Sequence, residues 1–161
     1  MSYIRLFNNE QSNFTWHEFL RSQTATRYNI DNVPNGIQKE NIEILVNNSI
    51  QPIRDHFGSI RITSGFRCLD LNRKLGSSDT SYHTKGQAGD IEPVGNIKLL
   101  DILEWIHYNV NYTELIAEYF PYGWIHVAYN IYSPKRELKL KDNRHNYDIV
   151  DIEYIRNIYE R

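Results

Sequence analysis

The sequence lacks several features that define common classes of protein. It has one cysteine, Cys68, so the chain cannot close a disulfide on itself, and a small disulfide-stabilised secreted fold is excluded. Neither sign of charge dominates, because 18 basic residues face 20 acidic ones. No apolar run approaches the roughly 18–20 residues of a membrane-spanning helix, and the first residues lack the pattern of a signal peptide. We therefore expect a protein made in the cytoplasm, with no nucleic-acid partner and no membrane insertion.

Linkers, internal repeats and low-complexity tracts are also missing. The length of 161 residues corresponds to one domain, and hydrophobic residues make up 40% of it, which is enough for a buried core. We therefore predict a single domain over residues 1–161 and a monomer.

The spacing of apolar residues predicts helices and strands in irregular order, which indicates an α+β fold. Thr15 and Glu18 form a capping box that begins a short helix, and residues 21–38 are expected to form an irregular arm. The other predicted helices span residues 39–57, 69–76, 97–110 and 148–159, and the predicted strands span 59–64, 87–92, 114–118 and 124–129. Residues 133–147 carry a local excess of positive charge, which is typical of a solvated loop or an edge hairpin.

The stretch from Ser81 to Asp90 carries the most chemical information. His83 lies in a polar loop that leads into a predicted strand, and Asp90 follows seven positions later in that strand. His126, on a later strand, can supply a second imidazole from the polar face. Two histidines and one aspartate with an open fourth position are typical of catalytic zinc, although hydrogen-bonded structural histidines are the alternative.

The pattern Ser-x-His-x-x-Gly-x-Ala-x-Asp at residues 81–90, followed by Trp-Ile-His at 124–126, resembles the zinc D-Ala-D-Ala carboxypeptidase and phage endolysin family of peptidoglycan peptidases (M15-type). Further similar blocks are Ser-Gln-Thr-Ala at 22–25, Ile-Asp-Asn-Val-Pro at 30–34, Ile-Thr-Ser-Gly-Phe-Arg at 62–67 and Leu-Asn-Arg at 71–73. The resemblance covers about residues 14–130 and leaves 131–161 as a C-terminal extension. It implies a hedgehog/DD-peptidase-like fold, in which helices flank a small antiparallel sheet.

The family also implies roles for individual residues. Three residues are expected to bind Zn²⁺: His83, Asp90 and His126. Arg67 is expected to face the substrate and to stabilise a carboxylate or developing negative charge, and Ser81 to orient the substrate. From the residues alone, a surface ion pair with Asp70 is the alternative for Arg67.

The general base is the point where this sequence departs from the family. Many members place an acidic residue three positions before the last zinc-binding histidine, and that position is Gly123 here. Glu118 is the first replacement, because a hairpin would bring it close to His126. Glu114 is the second and Glu92 the third, and the alternative for Glu118 is an ordinary solvent-facing glutamate.

Two functions follow from these residues. The first is a zinc peptidase that hydrolyses peptide stems of bacterial peptidoglycan, as a D-Ala-D-Ala carboxypeptidase or endopeptidase of the phage-lysin type. It would act on the cell wall after release from the cytoplasm, or as part of a virion. The second, motivated by Gly123, is a catalytically silent zinc-binding module of a virion or wall. Five other reactive side chains are expected to be structural or at the surface: His17, His56, Cys68, His107 and His145.

Overall fold

A computed structural model describes residues 12–160 of the chain. Within this range the strands are β1 (Ile60–Ser64), β2 (Ala88–Pro93), β3 (Glu114–Glu118), β4 (Trp124–Ala128), β5 (Glu137–Lys141) and β6 (Asn146–Ile149). The α-helices are α1 (Trp16–Leu20), α2 (Gln23–Tyr28), α3 (Gly36–Leu45), α4 (Gln51–Phe57), α5 (Leu69–Lys74), α6 (Leu99–Asn109) and α7 (Ile152–Tyr159). A π-helical turn (Val46–Ile50) joins α3 to α4, and a short 3₁₀ helix (Tyr82–Lys85) precedes β2. None of the helices in this range has the length and apolar character needed to cross a bilayer.

The strands form one sheet in the order β1-β2-β4-β3-β5-β6, which confirms the α+β fold class. The sheet is larger than expected and is not wholly antiparallel, because β3 and β5 run parallel. Residues 129–136 explain this pair. They lead from the end of β4 past the start of β3, so that β5 begins beside the start of β3 and runs in the same direction.

The two faces of the sheet have different tasks. One face packs against helices, including α1, α4 and α6, and its side chains form the hydrophobic core together with those of α3 and the π-helical turn. The sheet contributes to that core Ile60, Ile62, Ile91, Leu115, Ala117, Ile125, Val127, Leu138 and Leu140. The opposite face carries most of the polar side chains, since neighbouring residues of a strand point to opposite sides. The chemistry of the molecule is therefore concentrated on that face.

The expected irregular arm over residues 21–38 is wrong, because this segment contains α2 and the first turn of α3. Local capping explains both helices: Ser22 accepts a hydrogen bond at the start of α2, and Asn35 forms a capping box with Gln38 at the start of α3. The long helix predicted over residues 39–57 is present, but the π-helical turn divides it just before Pro52.

The positively charged segment at 133–147 forms an edge hairpin, β5–β6, rather than a solvated loop. The hairpin is fixed to the last helix by Asp142, which accepts hydrogen bonds from the Tyr159 hydroxyl (2.9 Å) and from backbone amides in its own turn. The predicted last helix begins later than expected, at Ile152, because Asp151 caps it and the residues before 150 belong to β6.

Candidate metal centre

Three side chains from separate elements converge on the polar face of the sheet. Asp90 and His126 are direct cross-strand partners on β2 and β4. His83 comes from the 3₁₀ helix, whose first turn is capped by Ser81: its hydroxyl accepts from the His83 amide (3.3 Å). Gly86 ends this helix in the left-handed region (φ +72°), where an added Cβ would also overlap the backbone of α3. The local sequence thus dictates both the position and the orientation of the loop.

The donor atoms form a nearly regular triangle. Nε2 of His83 lies 3.2 Å from Oδ1 of Asp90 and 3.2 Å from Nδ1 of His126, and the latter two atoms are 2.9 Å apart. Ligands of a tetrahedral zinc ion with bonds of about 2.0–2.1 Å stand about 3.3 Å from one another. All three residues are buried, and within residues 12–160 they are the group of His, Cys, Asp and Glu side chains that could hold a metal ion.

The outer nitrogen of each imidazole also has a neighbour. Nδ1 of His83 donates to the carbonyl oxygen of Gly65 (2.7 Å), which leaves the lone pair of Nε2 directed into the triangle. Nε2 of His126 lies 3.3 Å from Oε1 of Glu114, although the pair lacks the geometry of a full hydrogen bond. Two nitrogen atoms and a carboxylate oxygen this close, in a buried site, are stabilised by a cation between them. The donor set fits Zn²⁺.

Arg67 supports the same aspartate from the other side. Its guanidinium donates to Oδ2 of Asp90 (3.1 Å) and to the hydroxyl of Ser64 (2.9 Å), and its side chain is only 14% exposed. The alternative ion pair with Asp70 is therefore wrong. Arg67 also lines a groove that runs between β1 and the first two helices. It contacts Oδ2 of Asp90, while Oδ1 faces the two histidines.

The electrostatics of the triangle suit a metal site. Burial alone would raise the pKa of Asp90, but His83 and His126 outweigh burial and hold the pKa well below its usual range. Burial lowers the pKa of His83. Burial acts in the same direction on His126, yet the hydrogen bond and charge of Asp90, together with Glu114, raise its pKa above the usual value. Asp90 is thus held anionic and His83 neutral, the states in which both side chains ligate metals, whereas a metal would have to displace a proton from His126.

Two glutamates of β3 lie on the same face, on either side of the triangle. The central residue of β3, Ile116, is the direct partner of His126, and Glu114 and Glu118 stand two positions before and after it. Glu114 reaches His126 and also accepts a 2.6 Å hydrogen bond from Lys139 of β5. Although burial opposes the charge of Glu114, His126 and Lys139 lower its pKa to about 2.

Glu118 has a different environment. Among the described residues it forms no ion pair, and burial followed by the charge of Asp90 raises its pKa. Its cross-strand partner is Trp124. The buried indole Nε1 of Trp124 forms no hydrogen bond of good geometry, but its proximity still acts to lower the pKa of Glu118. The third candidate, Glu92, forms an ion pair with its cross-strand partner Arg61 of β1 (2.7 Å). Of the three candidate glutamates, Glu118 is therefore the one that forms no ion pair with a described residue.

Gly123 has a steric explanation. A Cβ at this position would overlap the carbonyl oxygen of Glu118 across the turn between β3 and β4. No side chain fits there in this backbone, so an acidic residue three positions before His126 is incompatible with the turn.

The other histidines and Cys68, expected to be structural or at the surface, lie outside the metal triangle. His56 stacks on Trp105 (ring centroids 4.4 Å apart). His107 shares a hydrogen bond with the Tyr112 hydroxyl (2.8 Å), and His145 lies against Asp142. Cys68 is a partly buried free thiol, and its backbone amide donates to Asn32. His17, on α1, lies outside the metal triangle.

Several contributors to the site carry no recognisable signal in the sequence. The carbonyl of Gly65 is a backbone group, so its hydrogen bond to His83 cannot be predicted from residue type. Lys139 could have been suspected from the alternation Glu-Leu-Lys-Leu-Lys of β5, which puts its charges on one face, but the parallel pairing with β3 was not expected. The hydroxyl of Ser77, 3.4 Å from Arg67, belongs to a polar loop with no periodicity.

The protein has an α+β fold and buries two imidazoles and a carboxylate on the polar face of its sheet, with further carboxylates on the same face. This arrangement is typical of metal-dependent hydrolases. Comparison with protein families gives the more specific answer. The model of the family described as Peptidase M15 matches residues 12–128, so the chain belongs to this family, and the resemblance found in the sequence is confirmed. No individual curated protein matches the chain significantly. Membership suggests a metallopeptidase that acts on peptidoglycan-type substrates, and the His-Asp-His group is compatible with the zinc that such peptidases typically need.

Proposed function

We propose that the protein is a zinc peptidase that hydrolyses peptide bonds in the stems of bacterial peptidoglycan, as a D-Ala-D-Ala carboxypeptidase or endopeptidase of the phage-lysin type. The observation that carries this proposal is the triangle of donor atoms with 2.9–3.2 Å sides, buried and supported from behind, in a chain of the M15 family. His83, Asp90 and His126 would hold the ion. Zinc in a three-ligand site supplies a water of lowered pKa and polarises the scissile carbonyl.

The chain itself must move the proton. Glu118 accepts a proton from the attacking water and gives it to the leaving amine nitrogen, while the hydroxide oxygen joins the carbonyl carbon and the C–N bond breaks. Glu114 is unsuited to this task, because His126 and Lys139 already occupy its oxygens and its low pKa makes it a weak base. A base with a raised pKa and no ion pair is better matched to neutral pH, which supports Glu118.

Arg67 supports the substrate side of the proposal. It lies against Asp90 and borders the groove along β1, so a peptide in that groove would present its carbonyl or carboxylate to a planar cation. Ser81 contributes indirectly in this structure, by capping the helix that carries His83. The proposed place of action is the bacterial cell wall, after release from the cell or as part of a virion.

The proposal is tested by measuring zinc content and wall digestion on the same sample. Purified protein should contain one zinc ion per chain, and digestion of purified peptidoglycan should create new amine termini detectable by mass spectrometry. A chelator should abolish this release and added zinc should restore it, while His126→Ala should lose both zinc and activity. His56→Ala is the matched control, because this exposed histidine lies far from the triangle in the fold and should leave both readouts unchanged.

The alternative from the sequence is a silent zinc-binding module. It wins if wild-type protein holds zinc but releases no amine termini from walls of several bacteria. The peptidase proposal also fails if release persists after zinc has been removed completely.

A further inference from the structure

A row of side chains leads from the metal triangle out to the C-terminal hairpin. Cross-strand pairing places Trp124 beside Glu118, Glu118 beside Lys141, and Lys141 beside Asn146, all on the polar face. The last two residues lie beyond residue 128, where the match to the family ends. The hairpin therefore extends the proposed active-site face with residues that lie outside the family match.

Tyr147 occupies an irregular position in that hairpin. The pairing of β5 with β6 shifts register between Leu140 and Lys141, which leaves Tyr147 as an extra residue in β6. Its backbone is left-handed (φ +65°), a conformation that ordinarily favours glycine in such a bulge. A bulky side chain in a strained position next to a site is a reason to look for a function of that side chain.

The ring of Tyr147 lies beside Lys141 on the polar face of the sheet. It lies 5.1 Å from Nζ of Lys141, so it shares the polar face with that lysine. Burial, followed by the charge of Glu118, raises its pKa. Yet 48% of the residue is exposed. The ring therefore lies next to the ammonium of Lys141 while remaining accessible to a ligand.

Lys141 carries a charge that the protein does not neutralise. Nζ donates to the amide oxygen of Asn146 (2.9 Å) and lies over the ring of Tyr147, and among the described residues it pairs with no carboxylate. Lys139, two residues earlier on the same face, is held by Glu114 (2.6 Å) and by Glu137 (3.0 Å). Of these two lysines, only Lys141 is free to bind an external anion.

We propose that Lys141 and Tyr147 form a substrate subsite on the side of the metal triangle opposite Arg67, and that this subsite binds a carboxylate of the peptide. The ammonium of Lys141 pairs with the carboxylate, and the phenol of Tyr147 donates a hydrogen bond to the same group or to the adjacent carbonyl. This inference rests on the proposed peptidase function, because it assigns the subsite to the same substrate. It makes the C-terminal hairpin a specificity determinant.

The test measures peptide binding, separately from hydrolysis. Two probes are used: stem peptide released from purified peptidoglycan, and the same peptide with its free carboxylates converted to amides. Their affinities for the zinc-loaded Glu118→Gln protein are measured by calorimetry, with and without a second substitution. Lys141→Met should weaken binding of the acidic peptide about tenfold or more, and Tyr147→Phe about threefold to tenfold. Both substitutions should change the affinity for the amidated peptide by a clearly smaller factor, because that peptide has no carboxylate to bind.

Two matched controls lie in the loop before β5. Lys135→Met removes an exposed lysine, and Tyr132→Phe removes the hydroxyl of a tyrosine that is 89% exposed. Both should bind the two probes as the parent protein does. Equal affinities in the Lys141 and Tyr147 variants and the parent protein would overturn the inference, and so would an equal loss for acidic and amidated peptide.

The same experiment separates this inference from the proposed function. If wild-type protein binds the acidic peptide through Lys141 but never cleaves it, the peptidase proposal fails and the subsite stands. If wild-type protein cleaves the peptide and the hairpin variants bind it normally, the peptidase stands and the subsite fails.

Discussion

The two ends of β3 carry the same residue, glutamate, on the same face, at equal distances along the strand from the partner of His126. At the first end, Glu114 contacts His126 and Lys139, and Lys139 in turn contacts Glu137. At the second end, Glu118 makes no ion pair among the described residues, and its strand neighbour Lys141 reaches only an amide and an aromatic ring. We call the Glu114 end of β3 the closed end, because its charged groups contact groups of opposite charge, and the Glu118 end the open end, because Glu118 and Lys141 form no ion pair with a described residue.

This difference in environment suits the two glutamates to different proposed roles, one in orienting a metal ligand and one in proton transfer. A carboxylate that is saturated by a histidine and a lysine stays ionised and immobile, which suits it to orient a metal ligand. A carboxylate that is partly desolvated and unpaired gains and loses a proton more readily near neutral pH, which suits it to general base catalysis. In the proposed mechanism, the two glutamates therefore differ in role because their environments differ, although they share residue type and face.

The largest expected effect comes from removing the proposed base. Glu118→Gln keeps the size of the side chain but cannot accept a proton, so the rate of peptidoglycan hydrolysis should fall by about 10²–10⁴-fold. Zinc content should stay at the wild-type level, because Glu118 lies outside the triangle. A variant that loses zinc together with activity, or that keeps more than a tenth of the wild-type rate, would contradict the assignment.

The second expected effect is on metal affinity. Glu114→Gln removes the negative charge behind His126 while keeping the shape of the side chain, and zinc affinity should weaken about 10–100-fold. The measurement is competition for zinc with a chromogenic chelator. Excess zinc should restore most of the hydrolysis rate in this variant but none in Glu118→Gln. Equal rescue of both variants, or of neither, would erase the distinction between the two ends of the strand.

The sequence allowed a large part of the site to be predicted, because its signals are local or periodic. The His-x-x-Gly-x-Ala-x-Asp spacing placed His83 and Asp90 together, and strand alternation placed His126 on the polar face. The different environments of Glu114 and Glu118 could not be derived in this way. It depends on Lys139, which reaches Glu114 only because β5 adds to the free edge of β3 in parallel, a long-range pairing without a local pattern.

The third expected effect compares the stability contributed by the two lysines of β5. Lys139→Met leaves two partly buried carboxylates without their common partner and should lower the free energy of unfolding by about 1–3 kcal/mol. Lys141→Met removes a charge at the open end and should change it by less than about 0.5 kcal/mol. Urea unfolding of metal-free protein measures both, since bound zinc would add its own stabilisation. A larger loss in Lys141→Met than in Lys139→Met would show that the open end is a structural contact after all.

The smallest expected effect is a displacement along the pH axis rather than a loss of rate. Because burial raises the pKa of Glu118, the acid limb of kcat/KM should lie above the ordinary glutamate range. The base must be ionised, so activity rises as the pH increases through this pKa. The carboxylate of Glu114, with its pKa near 2, stays ionised throughout that range and cannot produce the limb.

Loss of zinc in acid would produce a similar limb, because protons compete with the metal for the histidines. The two causes are separated by recording zinc content at every pH and by repeating the profile at a tenfold higher zinc concentration. A limb caused by Glu118 keeps its midpoint when zinc is raised, whereas a limb caused by metal release moves to lower pH. The residual activity of Glu118→Gln gives the second criterion: it should lack the limb, since the group that titrates is gone. A midpoint that moves with zinc, or a limb that persists in this variant, would place the titrating group among the metal ligands and remove the functional contrast between the two ends of β3.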